Sequence, residues 1–400
     1  MVARRPRPAR AAALAPLRLR GALRHYDWGS QHDIPELIGA RPDGRPWAEL
    51  WLGAHPAAPA VLEPGHGEGG EVSLRDAIAA DPERMLGAAC CERYGLTLPF
   101  LVKVLAVERP LSLQVHPTLS QAREGFAREE AAGVPLEDER RVYRDAEHKP
   151  ELLCALSEFE ALAGFATLDH VVLALGALGL DRLAERAERQ GLARLFWWLW
   201  DQPSGEQASL VEAAVAGARA ADGGLFSAEA GWVRRLAELH PGDVGVVASV
   251  LLNLVRLAPG EALYAPAGRL HAYLRGVGVE IMASSDNVVR GGLTSKRVDL
   301  VELRRILRVA PEAALVQQAR AGVYDTPAPE FRLSRLELAE GELHLLDVRG
   351  PEVLVCTAGR ATLDGLPLER GQAAFVPGSL TGIAASGEGI VFRAEVNPDA

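Results

Sequence analysis

Leu257-Ala-Pro-Gly-Glu-Ala-Leu-Tyr-Ala-Pro266 is the stretch from which the fold is read. Gly260 suits a turn, the next residues alternate as in a strand, and Pro266 with Gly268 closes the segment in a second turn. The pattern returns as Leu368-Glu-Arg-Gly-Gln-Ala-Ala-Phe-Val-Pro377, with Leu, Gly, Ala, an aromatic and Pro each recurring 111 residues later. Such an echo predicts one hairpin made twice, in two small β-barrels. The first copy runs on into His271-Ala-Tyr273, the second into Thr381-Gly-Ile383. One barrel thus carries a metal-capable residue at that place and the other does not.

Working outward, the chain up to about Glu160 reads as short strands broken by Pro and Gly: Leu17–Leu23, Ala60–Leu62, Phe100–Val107, Leu111–Val115 and Leu152–Leu156. One helix interrupts them at Ser73–Met85, with Ser73 as its cap. From Thr167 to Val255 the pattern turns helical. Thr167 caps a first helix, Asp181–Gln190 is charged and amphipathic, and Trp232, Val233, Leu236 and Leu239 recur at helical spacing. A helical block inserted between β-rich regions follows. Its cluster Phe196, Trp197, Trp198 and Trp200 reads as core packing rather than as a sugar-stacking surface.

Composition excludes several classes. Hydrophobic content of 48% and charged content of 24% belong to a globular chain. A net charge of −10 argues against a nucleic-acid or anionic-membrane coat. The longest apolar run, Val244 to Val255, is too short to span a bilayer. Four scattered cysteines, Cys90, Cys91, Cys154 and Cys356, give no disulfide framework and fit a reducing cytosol. They also make no zinc knuckle, so a metal must rest on N and O ligands. The first twenty residues hold six arginines and no acid. Pro16 interrupts Ala11–Leu17 and no clear cleavage site follows, so this stretch reads as a disordered arm rather than a targeting peptide.

Four segments carry residues suited to chemistry. In Leu111-Ser-Leu-Gln-Val-His-Pro117, strand alternation puts Ser112, Gln114 and His116 on one face. In Glu147-His-Lys-Pro-Glu151, Pro150 marks a strand start, and Glu151 enters an apolar strand where a carboxylate needs a cation or a partner. His271 heads a strand after a Pro-Ala-Gly turn. Glu280 and the loop Ser285-Asp-Asn-Val-Val-Arg-Gly-Gly-Leu-Thr-Ser-Lys296 combine cations with a double glycine, as a phosphate site does. Two histidines, a glutamate and a glutamine form an N/O set for Zn²⁺, with Mn²⁺, Co²⁺ and Fe²⁺ open on ligand type.

From Leu17 onward the chain resembles the type I phosphomannose isomerases. Six blocks carry the resemblance in family order: His25–Ser30, Ala48–Pro56, Leu98–Leu105, Leu111–Pro117, His148–Glu151 and Ser285–Lys296. It implies a mainly β fold with an inserted α-helical domain and two cupin-type (jelly-roll) β-barrels. The expected division is an arm at 1–16, a catalytic barrel at 17–163 and 256–322, a helical insert at 164–255, and a metal-free barrel at 323–400. It implies one zinc on Gln114, His116, Glu151 and His271. It puts the catalytic arginine at Arg290, with Asp286, Lys149, His148 and Glu280 around it, and Ser112, Lys103 and Lys296 on the phosphate. Gly291 and Ser295 stand where relatives more often have Ala and Pro, and the arginine-rich arm has no family counterpart.

The implied reaction interconverts mannose 6-phosphate and fructose 6-phosphate through a cis-enediol. Arg290 stays charged and suits the developing enediolate. The base stays open among Lys149, His148, Asp286, Glu280 and a metal-bound water, with His148 a candidate for ring opening. His25, Asp27, Trp28 and Trp51 read as buttresses, and His55, His66, His170, His240 and His344 as bystanders. The alternative is a sugar-phosphate sensor without turnover. The expected partner is a hexose 6-phosphate, with neither nucleic acid nor membrane, for a cytoplasmic monomer.

Overall fold

Gly260 and Gly371, the turn glycines of the two echoing segments, both adopt left-handed backbone, with φ of 90° and 83°. The computed structural model describes residues 15–63, 70–221 and 223–399; the first fourteen residues of the arm and His66 lie outside them. Each turn glycine leads into a strand of its own antiparallel sheet. Glu261–Ala265 lies between Glu151–Ala155 and Leu315–Gln318. Ala373–Val376 lies between Glu352–Leu363 and Leu17–Arg20. The last residue of each strand faces a glutamate: Ala265 pairs with Glu151, and Val376 with Glu352. The echo is therefore structural and extends to a buried carboxylate at matching register, but neither copy is the expected hairpin, because each strand pairs with distant segments and not with the strand before or after it in the chain.

The two carboxylates meet different company. Glu352 is wholly buried and accepts hydrogen bonds from Arg393, at 2.9 Å from its Nε and again from its Nη2. Arg393 also reaches Glu395 at 3.1 Å. In the second sheet Glu352 thus meets a guanidinium. We expect Arg393→Met to cost about 3–5 kcal/mol by stranding buried charge, read as a lower urea midpoint with zinc content unchanged.

The first sheet has eleven strands and the second ten. The long strand His271–Ala283 organises the first. Its early residues pair with Gln114–Val115 and Phe159–Phe165, its later ones with Phe100–Val107 and Glu151–Ala155. The change of partners falls at Gly276, where an added Cβ would lie 2.6 Å from the Phe159 ring. The two sheets share one core, in which Phe100, Leu152 and Ile281 meet Leu333, Val353 and Phe375. Each such side chain contributes about 1.5–3 kcal/mol by burial.

The division between sheets differs from the expected one at the N-terminus. Leu17–Leu23 is two strands, not one. Leu17–Arg20 joins the second sheet and Ala22–Arg24 the first. The chain crosses at Gly21, where a Cβ would clash with Leu50 at 2.6 Å. Val61–Leu62 and Val72–Ser73 also pair into the second sheet, so segments of 17–163 serve both. Ser73–Met85 is likewise two helices, Leu74–Ala80 and Pro82–Leu86, because Pro82 opens a new helix capped by Asp81.

The inserted block is helical. It holds Leu168–Ala177, Asp181–Gln190, Leu192–Asp201, Ser204–Ala220 and Ser227–Leu239. Thr167 accepts from the His170 amide as the first cap. Phe196 and Trp200 are buried in the core beneath the first sheet, and Trp197 and Trp198 pack partly against it. No described helix is long and apolar enough to cross a membrane.

Candidate active site and metal centre

Strand register brings distant residues into two rows. In the first, Gln114 lies directly opposite His271 on one side and Arg290 on the other. In the second, Lys103 lies between Trp51 and Glu280. Residues opposite one another share a face, so both rows border one cavity, of about 730 Å³. Glu151 enters from the start of its strand, and Lys149 and Asp286 from the flanking loops.

His116, Glu151 and His271 are buried with their ligand atoms within 4.8 Å of one another. His116 donates its Nδ1–H to the Asn287 carbonyl at 2.7 Å, and His271 donates its own to the Arg269 carbonyl at 3.1 Å. Each Nε2 faces Glu151 Oε2, at 3.4 Å from His116 and 3.1 Å from His271. Burial keeps His116 below the ordinary histidine range, so it is neutral. His116 Nε2 has no hydrogen-bond partner. Two imidazole nitrogens and a carboxylate oxygen that converge in a buried site can hold a cation. Their N, N and O character fits zinc. Gln114 donates its amide to Ser112 at 3.3 Å and lines the same cavity as Glu151 and His271.

Asn287 fixes the loops around this centre. It is fully buried, and its side-chain amide donates to the carbonyls of Asp145 and Glu147 at 2.9 and 2.8 Å. Its carbonyl oxygen accepts from the Arg144 amide at 2.7 Å. One residue thus ties the loop bearing Lys149 to the loop bearing Arg290, while its backbone orients His116.

The charges on the cavity wall are sorted. Lys149 bonds Glu151 Oε1 at 2.8 Å. Burial opposes ionisation of Glu151, but the Lys149 ammonium beside it outweighs burial and holds the carboxyl well below its usual range. Lys103 sits between Glu280 at 3.3 Å and Glu49 at 3.7 Å, over the Trp51 ring. Burial would discharge it, but the carboxylates raise it above the ordinary lysine range. Glu280 is shifted upward by its burial. Arg290 and Lys296 differ from these, because neither side chain has an ion-pair partner among the described residues. Burial and then Arg144 lower Arg290, while Arg290 and then burial lower Lys296. Two neighbouring cations without counter-charge make a site for an anion.

The structure gathers most of the sequence candidates and sets some apart. Gln114, Glu151, His271, Arg290, Lys149, Asp286, Glu280, Ser112, Lys103 and Lys296 all line the cavity. His116 is fully buried and does not line the cavity, but its Nε2 lies 3.4 Å from Glu151, which does. His148 does not line it; its imidazole turns to Glu330, at 2.8 Å. Strand-like alternation around Pro150 sends neighbouring side chains to opposite faces, so Lys149 and His148 cannot both enter. Lys103 lies among carboxylates rather than beside Lys296, which makes it a poor phosphate contact. Trp28 and Trp51, read as buttresses, border the cavity, as do Glu49 and Tyr273. Glu49 carried a signal in the sequence, since it opens an apolar strand as Glu151 does. His55, read as a bystander, touches Asp286.

Residues 17–168 match the family model for phosphomannose isomerase type I, catalytic domain. The mannose-6-phosphate isomerase of Salmonella typhimurium is 36% identical over 394 residues, covering 94% of this chain and 98% of that protein. The human mannose-6-phosphate isomerase is 30% identical over 400 residues, covering 89% and 92%. A crystal structure of zinc-bound mannose 6-phosphate isomerase aligns at 34% identity and a TM-score of 0.87, covering 96% of this chain and 100% of that one. The Salmonella typhimurium structure bound to its substrate F6P and zinc aligns at 33% identity and a TM-score of 0.85, with the same coverage. Fold and site together define a metalloprotein of the cupin type. The chain belongs to the type I phosphomannose isomerase family.

Proposed function

We infer that this chain is an aldose–ketose isomerase interconverting mannose 6-phosphate and fructose 6-phosphate. The observation that carries the reading is one cavity bordered by the His116, Glu151 and His271 centre, with two unpaired cations, Arg290 and Lys296, on its wall. Gln114, His116, Glu151 and His271 would hold the zinc. When bound, zinc supplies fixed positive charge that polarises a substrate carbonyl and favours the enediolate.

The chain's own residues do the rest. Lys296 and Arg290 take the phosphate, with Ser112 on the same wall, and the remote binding energy orients C1 and C2. Arg290 also neighbours Gln114 in the strand ladder, so its guanidinium faces charge developing on the sugar oxygens. After ring opening, a base removes the proton from C2, the cis-enediol forms, and the proton returns to C1 as the carbonyl moves to C2. Glu280 has the strongest claim to that transfer, because its burial makes it a stronger base than a solvated carboxylate. Lys103 holds Glu280 in place. Asp286 and Lys149 serve the hydroxyl protons. The four free cysteines suit the reducing cytoplasm.

A coupled assay with mannose 6-phosphate tests this. The chelated protein is expected to fall to under about 1% of its turnover, from loss of several kcal/mol of charge stabilisation, and zinc is expected to restore it. Binding of the sugar phosphate without turnover by zinc-loaded protein would replace the isomerase with a sensor.

A further inference from the structure

His55 lies outside the cavity lining, yet its imidazole reaches the cavity's mouth through one contact. Its side chain is 5% exposed and stands edge-on to Trp51, with ring centroids 4.9 Å apart. Its Nδ1 accepts the Ala57 amide at 3.2 Å. An accepting Nδ1 carries no proton, so in the neutral ring the proton is on Nε2. That Nε2 lies 3.2 Å from Asp286 Oδ2 and pairs with it.

Asp286 is otherwise free to rotate. Its side chain is 51% exposed and lines the cavity. Its backbone is fixed, since its amide donates to Asp145 Oδ2 at 2.8 Å, but no other side-chain donor within bonding distance holds its carboxylate among the described residues. The buried imidazole therefore immobilises one carboxylate oxygen and leaves the second to the cavity. We propose that His55 is a positioning residue for the isomerase reaction, acting through Asp286. This deepens the isomerase reading and rests on it.

In this arrangement Asp286 accepts a proton from a sugar hydroxyl and returns it to a sugar oxygen, so no net proton is consumed. The neutral imidazole changes neither its charge nor its proton count. It removes rotamers in which Asp286 turns to solvent, so its loss lowers turnover and leaves substrate binding nearly intact.

The test uses the full zinc-loaded chain and mannose 6-phosphate, with His55→Leu, His55→Gln, Asp286→Asn and the His55→Leu/Asp286→Asn double variant. His55→Leu is expected to lower kcat about 10–100-fold, as for loss of a supporting hydrogen bond. KM and zinc content stay at wild-type values. His55→Gln, whose amide nitrogen reaches the place of Nε2, recovers most of kcat. In the Asp286→Asn background, His55→Leu adds less than about a twofold loss, because coupled residues are not additive. If His55→Leu does not fold, His55→Met takes its place. Wild-type kcat in the Leu or Met variant, or losses that multiply in the double variant, would overturn the proposal. Absence of turnover in the wild-type chain sinks the isomerase reading, and the inference with it.

Discussion

Glu151→Ala protein is expected to purify without zinc and without turnover. Glu151 is the oxygen donor on which His116 and His271 converge, and it is 4% exposed. Truncation leaves two imidazoles and an amide, a set without negative charge and so a weak holder of a divalent ion. It also strands Lys149, itself 8% exposed, beside an empty volume. Loss of the ion's charge removes several kcal/mol from the enediolate-forming step, a fall of about 10³-fold or more in kcat. Metal analysis and the coupled assay on one sample check both halves. Retention of one zinc per chain with normal kcat would remove Glu151 from the centre. A variant that kept zinc but lost turnover would leave the metal to the other three ligands and make Glu151 a support for Lys149.

Arg290→Ala is the second variant expected to be severely impaired, with the opposite metal result. Arg290 lies across from Gln114 on the strand ladder, yet it is not one of the acceptor groups, so zinc stays. What is lost is a cation with no ion-pair partner among the described residues, next to a second such cation. Losing one preorganised donor to a developing oxyanion costs about 10²–10³-fold in kcat. Arg290→Lys is expected to recover little, because a point charge does not reproduce a planar fork. KM rises as well if the guanidinium shares the phosphate with Lys296, and Lys296→Ala then raises KM with a smaller change in kcat. Normal kcat in Arg290→Ala would exclude the guanidinium from the chemistry.

The fold was legible where a cue is local. The two Gly-strand-Pro echoes foretold two sheets with matching strands, and φ near 90° at both glycines is why that residue stands there. Thr167 and Ser73 capped the helices their side chains predicted. Leu17–Leu23 misled because one apolar run crosses between two sheets at Gly21, and nothing in its alternation marks the crossing. The site was legible as a set of residue types. It was not legible as an arrangement. His148 and Lys149 are adjacent in the chain, and only one faces the cavity. Lys103, read as a phosphate contact, lies between Glu49 and Glu280, which come from strands roughly fifty residues before it and far after it. His55 stood in the Ala48–Pro56 block, but its role was not legible, because it depends on Asp286, more than two hundred residues away.

By itself, the sequence determined the ligand chemistry, the helical insert, the repeated glycine turn with its strand, and the family. Those follow from side-chain type and from backbone preferences acting over a few residues. Tertiary structure alone decided which carboxylate meets a metal centre and which meets Arg393, and which cations stay unpaired. Those outcomes depend on strand register and on loops from distant segments packing against one another. Coulomb energies and hydrogen bonds depend on separations in space, and a separation of a hundred residues along the chain carries no such distance.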